Sequence, residues 1–598
     1  MDISLPQNDH DRSARAEALT KARQECTYDY ETLPPLPLAT RVPRGAGPSA
    51  EWTAEVVGVL AKLVLNSTRV ANEDDADPDA VRERITRHGD PMAGALAELT
   101  RRVETGGQSA RATGLAEFRE LFVVVDKPRQ PTTYLNDFTF ARLRVAGPAP
   151  LQIRRIRAVD SRFPVTEAMY EAALGHADTL DAAGAEGRLY LADYAALDGL
   201  PCGTYPSAQK YVPAPLALFA VPRGRIHHRP LAPIAIQLGQ RPGADNPIFT
   251  PLDGIGWEVA KSLVQTADGN VHQAVHHLAH THLVLEPFAL ATLRRLSTRH
   301  PVGSLLRLHF EGTLYINDSA IKNLIAPTGG VDAVMAGRID AVQGFIAQTV
   351  RAYRFDDAML EKELASRGVA DADLLPEYPY RDDARMVRAA VHSWIDDYVR
   401  LYYPSSAEVL ADEELQAWAG EIVAPDGGRV QGFGQGGGIR TVEYLVDALT
   451  HIVFTASAQH AAVNFPQGDI CDFAPAVPLA AYTPAPTSKV GITQQTYWDL
   501  LPPLGQANYQ MVLGRLLGSI YHTRLGNYPK RWSWNPLTEF GVLLGTEPPG
   551  LYDARVEPLL TAFQLSLLDV EERIHEENVA RSRYEYLLPS RIPQSINI

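Results

Sequence analysis

The chain has 598 residues, of which 45% are apolar and 21% charged, and its formal net charge is −15 at pH 7. This acidic balance without a basic stripe argues against nucleic acid as the main partner, because nothing would offset phosphate repulsion. No apolar run reaches the roughly 18 residues of a spanning helix, and the N-terminal segment lacks the apolar core of a signal peptide. The three cysteines, Cys26, Cys202 and Cys471, are too few and scattered for a disulfide framework. These features predict a soluble protein of a reducing compartment, with the cytoplasm as the expected location.

Helical periodicity dominates the chain after a polar, then proline-rich stretch over residues 1–50, which predicts irregular structure. Two helices are predicted next, near residues 52–66 and 78–104, and acidic residues precede the second as they should at a helix start. Short apolar runs near 211–240 predict a small sheet, and helical patterns prevail beyond about 255. The sequence therefore predicts a mainly α fold with minor β structure.

Five of the chain's 17 histidines lie in one segment, VHQAVHHLAHTH, which begins at residue 271. Neutral imidazole is the commonest transition-metal ligand in proteins. Residues four apart share a face of a regular α-helix, so the spacing favours His276 with His280 as a ligand pair. His277 and His282, five apart, would point about 140° away from each other and converge only across a π turn. Spacing alone leaves both pairs open, beside the alternative of buried histidines bonded to neighbours.

A second long helical pattern, TVEYLVDALTHIVFTASAQHAAVNF, carries a polar pair near its end. His460 and Asn464 are four residues apart and therefore share a face. Because apolar residues flank them, these side chains need partners when buried. The pattern by itself favours a buried histidine bonded to a neighbour, and metal ligation is the alternative.

Three segments of the sequence resemble the lipoxygenase family. HQAVHHLAHTHLVLEPFALATLRRLSTRHP carries the family's H-x4-H and THxxxEPF pattern, HAAVNFPQ fits a second metal-binding segment, and YEYLLPSRIPQSINI matches an ending on isoleucine. The similarity extends from about residue 115 to 598. One departure is Ala149, which replaces an asparagine in a GPNP turn and leaves the metal segments untouched. The resemblance implies a large, single helical catalytic domain with a minor β subdomain.

The resemblance also implies a non-haem iron centre with one ion per chain. Its ligands would be His277, His282, His460, Asn464 and the C-terminal carboxylate of Ile598, with a π turn between the first two. This ligand set leaves an open coordination position and accepts manganese as well as iron.

The activity that the resemblance implies is the dioxygenation of polyunsaturated fatty acids such as linoleate and arachidonate. A bis-allylic hydrogen is removed, dioxygen adds to the pentadienyl radical, and a hydroperoxide results. No catalytic side chain is needed beyond the metal-bound hydroxide. Gln273 and Gln467 match glutamines that link the substrate cavity to the ligand helices; two ordinary polar residues near a helix end are the alternative.

Product stereochemistry is expected to depend on Ala320, which matches a position where the family carries alanine or glycine. The resemblance implies that alanine accompanies S hydroperoxides and glycine R, because a methyl group can shield one end of the radical. A helix residue chosen for its size is the alternative. The position of oxygenation stays open, with C13 of linoleate preferred. Further residues expected to line the pocket are Leu324, Val331, Val334 and Met335.

The region before the catalytic domain is expected to be an irregular and helical extension, residues 1–115, packed on a domain that spans 116–598. It lacks the alternating strands and turn signals of an N-terminal β-sandwich. As a hypothesis, the apolar stripe of its helices covers the substrate entrance or makes transient contact with a membrane surface.

The sequence also contains a literal G-x-G-x-x-G, at Gly432, Gly434 and Gly437, but no predicted strand precedes it. We therefore expect a loop and no nucleotide site. Two alternatives to a dioxygenase remain, a hydroperoxide isomerase and a non-dioxygenating lipid-binding relative. The intact ligand set favours the dioxygenase over the lipid-binding relative.

Overall fold

The computed structural model describes residues 3–43, 46–70, 110–129, 132–223, 230–434, 436–528 and 553–598, together with positions 83, 92–94, 96–97 and 551. Within these ranges, every helix is too short or too polar to cross a membrane. Most of the predicted helix over 78–104 lies outside the described residues.

The first 50 residues are less irregular than predicted, because α1 spans Arg12–Glu25. Asp11 caps this helix by accepting a hydrogen bond from the Ala14 amide, 3.0 Å away. The helix has no broad apolar stripe, which is why periodicity missed it. Instead it is held by a buried ion pair in which Arg15 binds both Asp9 and Glu414. A short antiparallel pair follows, β1 (Tyr28–Asp29) and β2 (Leu38–Ala39).

The predicted small sheet is confirmed and is larger than expected. It is antiparallel throughout, with five strands in the order β3-β4-β5-β6-β7. β5 and β6 fall in the predicted region, whereas the others were not predicted. Every residue of β5 is buried, so the strand lacks the alternation that marks a half-exposed strand. The strands are β3 (Ile153–Ile156), β4 (Leu189–Asp193), β5 (Leu216–Ala220), β6 (Ala232–Gln237) and β7 (Ile248–Phe249).

Helices make up most of the described chain, as predicted. Four π-helical segments interrupt or extend these helices, and short 3-10 turns lie between some of the other elements. The α-helices after α1 are α2 (Ala50–Val70), α3 (Leu115–Glu120), α4 (Asp137–Ala146), α5 (Glu167–Leu174), α6 (Leu180–Ala185), α7 (Ile255–Val271), α8 (Val284–Arg295), α9 (Pro301–His309), α10 (Thr313–Ser319), α11 (Gly330–Val334), α12 (Ile339–Ala352), α13 (Leu360–Ser366), α14 (Pro379–Tyr402), α15 (Ser406–Ala411), α16 (Glu413–Val423), α17 (Val442–Phe454), α18 (His460–Asn464), α19 (Gln494–Leu500), α20 (Leu504–Leu517) and α21 (Val556–Ala580), and the π segments are π1 (His272–Leu283), π2 (Ala320–Leu324), π3 (Thr455–Gln459) and π4 (Gln467–Cys471).

Two interrupted helices form the centre of the core. In the first, α7, π1 and α8 run on without a break, and nearly every residue of α7 is buried. In the second, α17, π3 and α18 are likewise continuous. π1 packs against α12 on one side and α18 on another. The histidine-rich segment is therefore surrounded by protein.

Helix α2 packs against α20 and belongs to the same hydrophobic core as the rest of the chain. The predicted apolar stripe of α2 faces the core of the protein, since Val56 and Leu60 are completely buried. The indole of Trp52 donates a hydrogen bond to the carbonyl of Asn597, 2.6 Å away. The hypothesis of membrane contact gains no support from this stripe and stays a prediction, as does the domain boundary at residue 115.

The described residues of the glycine-rich segment form turns, as expected for a loop. Gly434 has a φ of +62°, and a Cβ there would meet the carbonyl oxygen of Gly438 at 2.8 Å. Glycine is therefore needed for backbone geometry at this position.

Asn66 anchors α2 to the loop after α3. Its side-chain oxygen accepts hydrogen bonds from the amides of Val123, Val124 and Val125, and its amide group donates to the carbonyl of Leu121. Replacing Asn66 by alanine removes these partners, and the two buried groups left unpaired, the carbonyl of Leu121 and the amide of Val125, cost about 1–3 kcal/mol each. We expect Asn66→Ala to accelerate amide exchange over residues 121–125 at least tenfold in hydrogen–deuterium exchange mass spectrometry.

The control for this prediction is Lys62→Ala, at an exposed position of the same helix. Exchange over residues 121–125 should be unchanged in it. Equal exchange in the two variants would contradict an anchoring role for Asn66.

Candidate metal centre

The π geometry of the histidine-rich segment, which the resemblance implied, is confirmed. Over His272–Leu283 the helix is wider than an α-helix, so that residues five apart come to one face. The Nε2 atoms of His277 and His282 are 3.2 Å apart. The hydroxyl of Thr281 donates to the main-chain carbonyl of His277 and supports the widened turn.

His460, the first residue of α18, completes a group of three imidazoles. Its ring centroid lies 5.4 Å from that of His277 and 5.0 Å from that of His282. One potential ligand atom from each residue falls within 4.8 Å of the other two. Among the described residues, no other group of three histidine, cysteine or acidic side chains meets this condition. The pair that α-helical spacing favoured, His276 and His280, lies outside this group.

The electrostatics of the three rings suit a bound cation. Burial lowers the pKa of His277 and His460 well below the ordinary value, and that of His282 to about 4, so all three are neutral at pH 7. Neither ring nitrogen of His460 makes a hydrogen bond of normal geometry, although the main chain of Ile598 lies close enough to raise its pKa against the larger effect of burial. Buried nitrogens without partners are unfavourable unless something else binds them. The residues therefore fit a transition-metal ion.

Asn464 ends the short helix that His460 begins, and Ile598 lines the same cavity as His277 and His282. The Asn464 amide nitrogen donates to the carbonyl of Leu517, 2.8 Å away, so the side-chain oxygen points away from Leu517. Ile598 is 2% exposed and belongs to the same buried region. The tail before it is held by the hydroxyl of Thr313, which donates to the carbonyl of Ile596 at 3.0 Å.

The two predicted glutamines form a chain of hydrogen bonds. Gln273 Nε2 donates to Gln467 Oε1 at 2.7 Å, and Gln467 Nε2 donates to Asn464 Oδ1 at 2.8 Å. Gln273 also lines the large apolar cavity described below. The chain therefore connects this cavity with Asn464 across π1 and π4.

Two residues without an assigned role hold His282 in place. Asn317 donates to the carboxylate of Glu286 at 2.8 Å, so its oxygen must face the imidazole and accept from His282 Nδ1, 3.0 Å away. His282 Nε2 is thereby left with its lone pair towards the other histidines. The second oxygen of Glu286 accepts from the Ala39 amide, and burial raises the pKa of Glu286 to about 7. Glu286 lies four residues after His282, on the same face of the helix, and this spacing could have revealed its role from the sequence.

A cavity that is partly open to solvent adjoins the imidazoles of His277 and His282. It is lined mainly by aliphatic side chains, and none of its described lining side chains is charged. Ala320 stands at the first position of π2 and is almost fully buried. Of the residues expected around the substrate, Gln467 does not line this cavity, whereas the other six do: Gln273, Ala320, Leu324, Val331, Val334 and Met335. The lining comprises Met92, Leu96, Gln273, Ala274, His277, Leu278, His282, Ile316, Ser319, Ala320, Leu324, Ile325, Val331, Val334, Met335, Ile346, Leu479, Leu513, Leu516, Leu517 and Ile598.

Comparison with known proteins identifies the family. Residues 219–516 match the lipoxygenase family model. The chain is 37% identical to linoleate 9/13-lipoxygenase of Pseudomonas aeruginosa, over all of this chain and 92% of that protein. It is 33% identical to the mouse polyunsaturated fatty acid lipoxygenase ALOX8, over 81% of this chain and 69% of that protein. A crystal structure of a lipoxygenase in complex with arachidonate covers the whole chain with a TM-score of 0.82 at 26% identity, and this chain covers 84% of it.

The chain therefore belongs to the lipoxygenase family, enzymes that oxygenate fatty acids and use a non-haem iron or manganese ion. The mainly helical fold that the sequence predicted is confirmed by the same comparison.

Asn317 offers a test of how His282 is oriented. We expect Asn317→Ala to lower the affinity for the metal ion about 10- to 100-fold, because the ring loses the bond that fixes its tautomer and direction. The measurement is the metal that remains bound after dialysis against graded chelator concentrations. Asn323→Ala is the matched control, since the Asn323 amide donates to Ser319, one helical turn earlier. Equal metal loss in both variants would refute the orienting role.

Proposed function

We propose that this lipoxygenase binds one iron ion through His277, His282, His460, Asn464 and the C-terminal carboxylate of Ile598. Manganese fits the same ligand set. The observation that carries the proposal is that two of the three neighbouring imidazoles and Ile598 line one apolar cavity. When bound, the ion supplies the one-electron redox chemistry that removes a bis-allylic hydrogen atom. The described side chains around it need only hold the ion, orient the substrate and exclude water.

We propose linoleate and arachidonate as substrates, because the cavity is lined mainly by aliphatic side chains. Each methylene group that enters an apolar cavity contributes about 0.8 kcal/mol. No cation among the described lining residues would pair with a buried carboxylate, whose desolvation is costly. We therefore infer that the methyl end enters first and that the carboxylate stays near the solvent. The name of the 37% identical relative, a linoleate 9/13-lipoxygenase, supports linoleate as the first substrate to test.

We further propose that the product is an S hydroperoxide, with C13 of linoleate as the preferred position. The support is the place of Ala320, whose side chain lines the same cavity as His277 and His282. Its methyl group occupies space through which dioxygen would reach one end of the pentadienyl radical. Val334 and Met335 line the cavity as well and would limit how deeply the acyl chain enters.

The ligand assignment predicts a clear pattern of metal content. We expect His277→Ala, His282→Ala and His460→Ala to lose the bound ion, because each removes one of three strong ligands. His276→Ala and His280→Ala are the matched controls and should keep it. Plasma mass spectrometry of the purified variants gives the metal per chain, and the reverse pattern would overturn the assignment.

The role of Ile598 predicts a separate effect at the C-terminus. One residue added after Ile598 should abolish oxygen uptake with linoleate, because the terminal charge moves away from the imidazoles. The extended protein should stay folded, because the tail before Ile598 keeps its hydrogen bonds, such as that from the Thr313 hydroxyl to the carbonyl of Ile596; circular dichroism checks this. Retained activity in the extended protein would exclude the carboxylate as a ligand.

The role of Ala320 predicts the chirality of the product. With linoleate, we expect oxygen uptake and mainly S hydroperoxide from the natural protein, and a shift towards R in Ala320→Gly. Ala274→Gly, which removes a methyl group elsewhere in the same cavity, should keep the S product. Chiral chromatography distinguishes these outcomes, and mainly R product from the natural protein would contradict the proposal. Conversion of linoleate hydroperoxide without oxygen uptake on linoleate would indicate an isomerase instead.

A further inference from the structure

One wall of the apolar cavity is formed by α11 and the residue that follows it. Val331, Val334 and Met335 line the cavity from this side, and we call these three residues the α11 wall. The helix has only five residues, and a helix this short is not stable by its own hydrogen bonds. The position of the α11 wall therefore depends on the contacts that the rest of the chain makes with it.

The side chain of Lys210 makes such a contact. Its Nζ atom donates a hydrogen bond to the main-chain carbonyl of Asp332, in the middle of α11. If the helix continued, this carbonyl would accept from the amide of Ala336, but that amide faces Asn270 Oδ1 instead, 3.3 Å away. The carbonyl of Asp332 is thus left for Lys210. Lys210 is not among the described residues that line the cavity, so it acts on the wall and not on the substrate.

The main chain around Lys210 binds the residues that follow α11. The Gly203 amide donates to the carbonyl of Ala336 at 2.8 Å, and the Lys210 amide donates to the carbonyl of Gly203 at 2.9 Å. A Cβ at Gly203 would lie 2.9 Å from the carbonyl oxygen of Gly337 and 3.2 Å from Lys210 Cε. Segment 201–211 and the end of α11 are therefore in close contact, and the Lys210 side chain has little room to move.

The ammonium group of Lys210 is completely buried, which is unfavourable for a cation. Burial lowers the pKa of Lys210 to about 8, although the charge of Asp332 acts in the opposite direction. The Asp332 carboxylate in turn accepts from the amide of Thr328, 2.9 Å away, just before α11. Because a buried ammonium needs a polar partner, the bond to Asp332 fixes Lys210 and the α11 wall relative to each other.

We propose that Lys210 is a positioning residue that holds the α11 wall in place and thereby selects the carbon of the fatty acid that is oxygenated. This inference rests on the proposed function, in which the methyl end of the acyl chain enters the cavity. Arachidonate has several bis-allylic carbons along its chain, so the depth of entry decides which of them lies beside His277 and His282. A wall that moves outward admits the chain farther and shifts oxygenation towards the carboxylate.

The test compares Lys210→Met with the natural full-length protein, because methionine fills a similar volume without the hydrogen-bond donor. With arachidonate, we expect the ratio of products oxygenated nearer the carboxylate to those oxygenated nearer the methyl end to rise at least about fivefold. This change corresponds to about 1 kcal/mol between the two transition states. Liquid chromatography with mass spectrometry gives the ratio, and the metal content per chain should be unchanged.

A second measurement does not depend on turnover. In hydrogen–deuterium exchange mass spectrometry, we expect the amides of residues 333–336 to exchange at least about tenfold faster in Lys210→Met, because the end of α11 opens more readily. Lys210→Leu, which also removes the donor, replaces Lys210→Met in both measurements if circular dichroism shows that the methionine variant is not folded.

Lys261→Met is the matched control. Lys261 is likewise buried and also donates to a main-chain carbonyl, that of Leu135, but it lies on α7 and binds Asp137 and Glu258. The product ratio and the exchange over residues 333–336 should match those of the natural protein, even if the unfolding temperature falls. An equal shift of the ratio in Lys261→Met would therefore indicate general destabilisation and overturn the proposal.

An unchanged product ratio in a folded Lys210 variant that keeps its metal would overturn the proposal as well. Loss of metal from that variant would count against it, because the effect would then lie at the ligands. If the natural protein oxygenates neither arachidonate nor linoleate, the proposed function fails, and with it the selection of the carbon. The exchange measurement still decides whether Lys210 holds α11, since unchanged exchange over residues 333–336 would refute this contact in either case.

Discussion

The placement of His277 and His282 on one face of a widened helix is the constraint on which the site depends. In a regular α-helix these rings would diverge by about 140°, whereas here their Nε2 atoms are 3.2 Å apart. π turns are rare because they pack and hydrogen-bond less well than α turns. This one is supported by the Thr281 hydroxyl and by His272, whose Nε2 donates to the carbonyl of Val463 at 2.6 Å. The second support also fixes the distance between π1 and the helix that carries His460.

The N-terminal region is tied to this centre at two points. One runs from the Ala39 amide in β2 through Glu286 and Asn317 to His282, entirely by hydrogen bonds. The other is the bond from Trp52 in α2 to the carbonyl of Asn597, next to the last residue. A structural change in either N-terminal element would therefore be transmitted to His282 or to the C-terminus. The extension supports the site, although it contributes none of the proposed ligands.

The sequence predicted the helical fold and the small sheet well, and the reasons for its failures are physical. Helix α1 was missed because the buried Arg15 ion pairs, not an apolar stripe, hold it. The choice between two histidine pairs could not come from spacing, since α periodicity favours His276 with His280; only the resemblance implied the π turn. The role of Asn317 was not predicted because it depends on His282, a neighbour 35 positions away, and a local sequence pattern does not indicate such a contact.

The five clustered histidines that first suggested a metal site divide among three environments. His277 and His282 line the apolar cavity, His276 and His280 line a separate cavity beside Tyr353 and His451, and His272 donates to the carbonyl of Val463. Burial makes all five neutral at pH 7, so neutrality does not distinguish ligands from the rest. The proposed ligands differ from the other histidines in the direction of their rings, and this direction depends on where the helix widens. The number of histidines in a buried helix is therefore weaker evidence for a metal site than a local π geometry that brings two of them to one face.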